Sequence, residues 1–442
     1  MSGILKSGEV LRTAQGEDVT VLDYLGAGGQ GEVYRVQHGG RVRALKWYYQ
    51  QSATPMQRSI VEDLVNRAFD DDRFLWPTHM VLGSKESFGY LMDLRPPHFH
   101  GLSDLFRRQV NVTSRELVIA CVYLVEAYRA LHSQGIAYRD ISYGNVFFDP
   151  ATGNVLVCDN DNAVVEGGLS GIEGTMEFMA PELVRGDDGA SPGTQTDLHS
   201  LAVLLFMMLM NHHPLEGALE FRIRCLDEKA KRQLYGKDPV FLFDPADDRN
   251  RPVPGEQDTV RATWEAATEP LRTLFIQTFT KGLTRPEARV RETQWRDALA
   301  AAHDLIVHCG GCERQNVVDL AAPGRTCWSC AKRLRLPPVL SITTSGPRVT
   351  RTVALTRDAR VCAHHLVGEP VRHDYEDKVA EVVEHPRVPG RYGLRNLMPG
   401  TWKIRRPDGT SDEVPNGRSL DLKPGIRLQI GSVEAVIQPP TW

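Results

Sequence analysis

Four cysteines, Cys309, Cys312, Cys327 and Cys330, spell C-x-x-C, fourteen residues, then C-x-x-C. Two such knuckles folded against each other bring four thiolates around one Zn²⁺ in a tetrahedron. A redox dithiol is the alternative for a single C-x-x-C, but a tandem pair without a βαβ context favours a structural zinc ribbon over residues 307–336. So short a module has little core, and the metal would stabilise its fold with no part in catalysis. A second chemistry lies near the start, in "LGAGGQGEVYRV". There Gly26, Ala27, Gly28, Gly29 and Gly31 are followed by Val33, and the pattern reads G-x-G-x-x-G. In a dinucleotide fold this triplet leads from a strand into a helix. Here it leads into "EVYRVQHGGRVRALKWYY", which alternates like another strand. A strand-loop-strand lid can lay its backbone N–H groups over a triphosphate. Lys46, on the next strand, stands where an ammonium would meet phosphate oxygens.

The elements that must position these groups follow from periodicity. The first 100 residues alternate short apolar runs with Gly and Asp turns and read mostly as strand. From Thr113 the period changes. Leu117, Ala120, Cys121, Leu124, Tyr128 and Leu131 form one helical face, introduced by a T-x-x-E box (Thr113, Glu116) and ended by Gly135. "LAVLLFMMLM" (201–210) predicts a buried helix, and the chain stays largely helical to about Ile306. Beyond the cysteine module, residues 337–442 return to short strands broken by P-D-G, N-G and P-G turns, which predicts an all-β sandwich.

Directly after the capped helix comes "YRDISYGNVFF", and at 159–161 "DND". With the glycine loop and "RALK", these segments resemble the protein kinase family, whose catalytic loop reads H-R-D-L-x-x-x-N. The resemblance continues through "GTMEFMAPE" (174–182) and covers about residues 16–306. It implies a bilobal α+β fold over residues 1–306, with the strand-rich lobe ending near residue 95, and ATP with Mg²⁺ or Mn²⁺ between the lobes. Carried over by position, Asp140 is the base and Asn145 and Asp159 hold the metal. Lys46 sets the phosphates, and Glu62, in "SIVEDL", is the helix carboxylate that pairs with it. Met92 is the gatekeeper, and Asp93 to Arg95 contact adenine. Arg139 holds the activation segment, Glu182 pairs with Arg289, and Asp197 hydrogen-bonds the catalytic loop. Ser170 and Thr175 are candidate phosphosites.

Three departures stand out. Tyr138 replaces the histidine, Ser142 replaces the lysine of serine/threonine kinases, and Asn160 and Asp161 replace the Phe and Gly after the metal aspartate. Polar Asn160 is not expected to bury as that Phe does, and Asp161 reads as a solvated turn acid, with a second carboxylate on the metal as the alternative. The gross resemblance implies transfer to Ser/Thr hydroxyls of a protein substrate, with autophosphorylation, while Ser142 leaves a tyrosine hydroxyl open, since tyrosine kinases also lack that lysine. The alternatives are a nucleotide-binding pseudokinase that serves as an interaction scaffold and a small-molecule phosphotransferase. The arrangement also looks like kinases of bacterial stress or conflict systems, which implies a cognate phosphatase.

"GLRNL" and "LKPGIRLQIGS" are similar to the forkhead-associated fold, although the phosphothreonine-reading signatures of that family are absent. A partner protein bound by this region is the expectation, and His364 and His365 read as strand-end histidines in solvent. Composition narrows the rest: apolar residues are 41%, charged residues 24% and the formal net charge is −4, which describes a mixed-charge globular chain with no mark of a nucleic-acid binder. The run at 201–210 is about half the length needed to cross a bilayer. "MSGILKSGEV" has no secretory character, so a cytoplasmic setting with reduced thiols is expected.

Overall fold

The computed structural model describes residues 3–67, 69–84, 86–165, 174–320, 326–344, 350–368 and 372–440. The chain divides into two compact units: residues 1–111, 127–252 and 276–290 form the first, and 112–126, 253–275 and 291–442 the second. Residue 306, the boundary expected for the first domain, therefore falls inside the second unit. No helix among the described residues is long and apolar enough to cross a membrane.

In the first unit, β1 (Val10–Thr13), β2 (Asp18–Ala27), β3 (Gly31–His38), β4 (Arg41–Tyr48), β5 (His79–Leu82) and β6 (Phe88–Met92) close into a barrel ordered β1-β2-β3-β4-β6-β5. Strand periodicity decides which way Lys46 faces. Leu45 and Trp47 join Val19, Val21, Tyr34 and Val36 in one apolar cluster. Ala44 and Tyr48 join Tyr90, Met92 and Val61 of helix α1 (Pro55–Arg67) in the other. Lys46, between them at period two, shares the face of Ala44 and Tyr48.

Two antiparallel pairs fix the segments that carry the polar residues. Ile136–Ala137 pairs with Val164–Val165, and Val146–Phe148 pairs with Val155–Val157. Tyr138–Asn145 and Cys158–Asn162 are thereby held at both ends. Helix α2 (Ser114–Ser133) is introduced by Thr113, whose hydroxyl donates to Glu116, and is followed by Gly135 at φ 69°. Helix α3 (Thr194–Met210) buries its sequence on every side, with Leu201 to Phe206 all at zero exposure. A helix apolar all round has no solvent face to present.

The second unit carries helix α4 (Glu292–Asp304), the hairpin Ile306–His308/Gln315–Val317 and two antiparallel sheets. The six-stranded sheet runs in the order 350–354, 339–343, 433–438, 427–430, 402–405, 411–414, and the four-stranded one 360–362, 378–384, 392–396, 419–421. Leu340, Trp402, Ile404 and Ile437 from the first sheet and Val361, Ala380, Leu394 and Leu420 from the second share one apolar core. His364 and His365 do not sit in solvent. They lie in the short helix Ala363–Leu366 with exposures of 2% and 0%, because His365 Nε2 is held 3.1 Å from both carboxylate oxygens of Asp304.

Candidate active site

A cleft of about 420 Å³ opens in the first unit. It is lined by Leu25 to Gly31, Val33, Ala44, Lys46, Leu75, Met92 to Arg95, Phe147, Cys158 and Asp159. That size suits a small-molecule ligand. The glycine loop joins β2 to β3 as a hairpin, with Gly28 N–H donating to Gly31 O at 2.9 Å. Gly31 is required by close approach: a Cβ there would lie 2.2 Å from the Trp47 carbonyl oxygen on β4. At Gly26, Gly28 and Gly29 a Cβ would meet no protein atom within 4 Å. Side chains at these positions would fill only the space around the loop. Met92 is buried against Ala44, while the Asp93 side chain turns outward toward Arg43, leaving the backbone of 93–95 along the cleft.

Lys46 is 4% exposed. Its ammonium donates to Asp161 Oδ2 at 2.8 Å and Oδ1 at 3.0 Å, to Asp159 Oδ1 at 3.2 Å and to Gln30 Oε1 at 3.0 Å. Burial pulls its pKa down, but the Asp161 and Asp159 carboxylates outweigh that and hold it above the ordinary lysine value. Glu62 is not its partner. It is paired with Arg58 one turn back on α1 at 2.9 Å, with 45% of its side chain exposed. The α1 side chain that reaches this group is Gln57, which donates to the Asp161 carbonyl oxygen at 3.0 Å and to Tyr48 Oη at 3.3 Å.

Asp161 is fully buried and also accepts a hydrogen bond from the Tyr48 hydroxyl. The expectation of a solvated turn acid is thereby overturned, because Lys46 and Tyr48 of β4 and Gln57 of α1 converge on it. Asn160 is fully buried as well, since its amide donates to Leu75 O at 2.8 Å and Val157 O at 3.1 Å. A polar side chain buries readily once its donors are met. Asp159 itself is left-handed at φ 54°, ψ 44°, and it leads into the 3-10 turn Asn160–Asn162.

Asp140 is held from two sides. Asn145 Nδ2 donates to its carbonyl oxygen and to Oδ2, both at 2.9 Å. Its Oδ1 accepts from the Thr175 N–H and hydroxyl, both at 3.1 Å. With the Asn145 amide hydrogens turned to Asp140, its amide oxygen is the atom left to face a cation. Asp197 anchors the loop from below, accepting from Tyr138 N–H at 2.6 Å and Arg139 N–H at 2.9 Å. Those bonds stabilise Arg139 at φ 75°, an uncommon conformation for a side chain with a Cβ. Tyr138 donates its hydroxyl to the Cys158 carbonyl, so the residue in the histidine's place ties the catalytic loop to the D-N-D segment. Arg289 Nη2 meets Glu182 at 2.7 Å with its own side chain fully buried. Ser170 lies outside the described residues.

The four cysteines of the second unit have Sγ atoms all within 4.8 Å of one another. The two knuckles are built alike: Cys309 N–H bonds Arg314 O and Cys327 N–H bonds Lys332 O. Glu313 and Ala331, each one residue past a C-x-x-C, are left-handed at φ 62° and 57°. Gly311 and Ser329 N–H groups point at Cys309 and Cys327 Sγ at 3.4 Å. Backbone donors aimed at sulfur favour the thiolate form.

A family model of the protein kinase domain matches residues 19–243, just over half of the chain. The chain therefore belongs to the protein kinase family. Serine/threonine-protein kinase PknK of Mycobacterium bovis is 29% identical over 201 residues, which cover 43% of this chain and 17% of that protein. CBL-interacting protein kinase 4 of Oryza sativa subsp. japonica is 30% identical over 176 residues, covering 38% and 37%. Human ribosomal protein S6 kinase alpha-4 is 28% identical over 227 residues, covering 46% and 28%. The chain spans well under two thirds of each of these relatives.

Proposed function

We propose that this protein is a serine/threonine protein kinase that moves the γ-phosphoryl group of ATP to a hydroxyl of a protein substrate, its own chain included. The observation that carries this reading is Asp140, one carboxylate oxygen pinned by Asn145 and the other already holding a threonine hydroxyl. In transfer, the acceptor oxygen attacks the γ-phosphorus and the bond to the β–γ bridging oxygen breaks. ADP leaves, and the acceptor proton passes to the Asp140 carboxylate. Gly26 to Gly31 cover the phosphates, Lys46 places them, and Asn145 and Asp159 offer the oxygens that would hold Mg²⁺ or Mn²⁺. Such a cation, when bound, neutralises phosphate charge as the bond breaks.

Cys309, Cys312, Cys327 and Cys330 would hold one structural Zn²⁺, supported by the matched knuckles and the N–H donors on sulfur. The two-sheet region at 337–442 fits a forkhead-associated-like sandwich that binds a partner protein. To test the activity, purified protein is incubated with labelled ATP and Mg²⁺ beside Asp140→Asn, and label is followed on the chain and on a generic protein. Label that depends on Asp140 supports the kinase; ATP binding with no Asp140-dependent label rejects it in favour of a nucleotide-binding scaffold.

A further inference from the structure

The phosphate-placing lysine needs a fixed counter-charge, and the geometry points to Asp161 as that group, in place of any carboxylate on helix α1. This rests on the kinase reading of the cleft. Both Asp161 oxygens contact Lys46 Nζ, at 2.8 and 3.0 Å, and the residue has no exposure. Tyr48, two residues beyond the lysine on β4, donates to Oδ2 from the same face. From α1 comes only a neutral amide, Gln57, on the Asp161 carbonyl. The carboxylate of α1 nearest in expectation, Glu62, is committed to Arg58.

This arrangement has a mechanical consequence. Asp159, the metal carboxylate, and Asp161, the lysine's counter-charge, ride on one three-residue turn that Asn160 pins to Leu75 O and Val157 O. One backbone conformation installs both. Displacing α1 removes a neutral hydrogen bond and leaves the ion pair standing, so the helix is not the element that makes or breaks the lysine clamp. Asp161 is a positioning residue, acting on ATP through Lys46.

The test is a double-mutant cycle on the full chain, reading ATP affinity in Mg²⁺ by calorimetry. Asp161→Asn is expected to weaken ATP about tenfold to a hundredfold, the range for a charge-assisted partner. Glu62→Gln is expected to change it less than about twofold, as an exposed pair would. In the Lys46→Met background, Asp161→Asn is expected to cost almost nothing further, because the partner it serves is gone. Should Asp161→Asn alone fail to fold, Lys46→Met/Asp161→Asn, which removes both charges, is expected to melt above Lys46→Met, which leaves the Asp161 carboxylate buried without its counter-charge. An Asp161→Asn loss that persists undiminished beside Lys46→Met would overturn the assignment and make Asp161 a metal carboxylate or a purely structural acid. So would unchanged affinity in Asp161→Asn, or a loss produced by Glu62→Gln. Affinity does not require transfer, so a wild-type chain that binds ATP and phosphorylates nothing defeats the kinase reading without touching this one.

Discussion

At the scale of single residues, the site is a set of carboxylates given different tasks by their surroundings. Asp140 holds the Thr175 hydroxyl, Asp159 is half-exposed toward the cleft, and Asp161 is sealed against an ammonium. Asp140→Asn keeps the shape but cannot take a proton. It is expected to lower the transfer rate about a hundredfold to ten-thousandfold with ATP affinity within about threefold, measured by initial rates and calorimetry. Thr175→Ala removes the hydroxyl from Asp140 Oδ1 and leaves the N–H bond. A drop of about tenfold in kcat with KM for ATP unchanged is expected from kinetics with saturating protein substrate, because one of the bonds that orient the base is lost.

Among elements, the lid and the knuckles carry the sharpest expectations. Gly31→Ala drives a methyl group to within 2.2 Å of the Trp47 carbonyl, so β3 must part from β4. The loss should be about 1–3 kcal/mol in denaturant unfolding, accompanied by a higher KM for ATP. For the knuckles, elemental analysis should find one zinc per chain. Cys327→Ser should lower that occupancy and the melting temperature of the second unit, whereas phosphoryl transfer by the first should persist. Metal well below one per chain in carefully prepared wild type would defeat the ribbon.

Across the whole molecule, acid is expected to loosen the second unit. His303, His364 and His373 are buried there and neutral. Desolvation, opposed by Asp304 and reinforced by Arg115 and His365, takes His303 down to about 4. Desolvation with Arg296, Arg351 and His365 beside it, and Asp304 opposing, takes His373 to about 3. Burial, with His365 and His373 adding to it and Asp304 opposing, drives His364 lower still. Each folded value lies below the unfolded value of 6.5, so the unfolded chain binds the proton first. Stability is full above pH 6.5 and falls as pH drops toward 4 and 3, by about 1.4 kcal/mol per pH unit for each histidine at most. Melting followed from pH 7.5 to 4.5 should show the transition of the second unit moving down, and a flat profile would contradict the neutral cluster. His364→Gln/His373→Gln should reduce the slope.

Much of this was legible without coordinates because the signals are local. The alternating pattern placed Lys46 on the strand after the glycine loop, Thr113 and Gly135 bounded α2, and the C-x-x-C spacing brought four sulfurs within 4.8 Å. The order of "GAGGQG", "RALK", "YRDISYGN" and "MAPE" marked the kinase family, and Asp197 and Arg289 sit where that resemblance placed them. What tertiary structure alone decided is which charges meet across long stretches of chain. Glu62 lies 16 residues from Lys46 and Asp161 lies 115, yet it is the distant carboxylate that buries against the ammonium. Likewise, no local pattern shows that His365 will face Asp304, 61 residues away. Spacing along the chain governs caps, turns and faces, whereas ion pairing in a dry interior depends on which elements pack together, and that is a property of the closed fold.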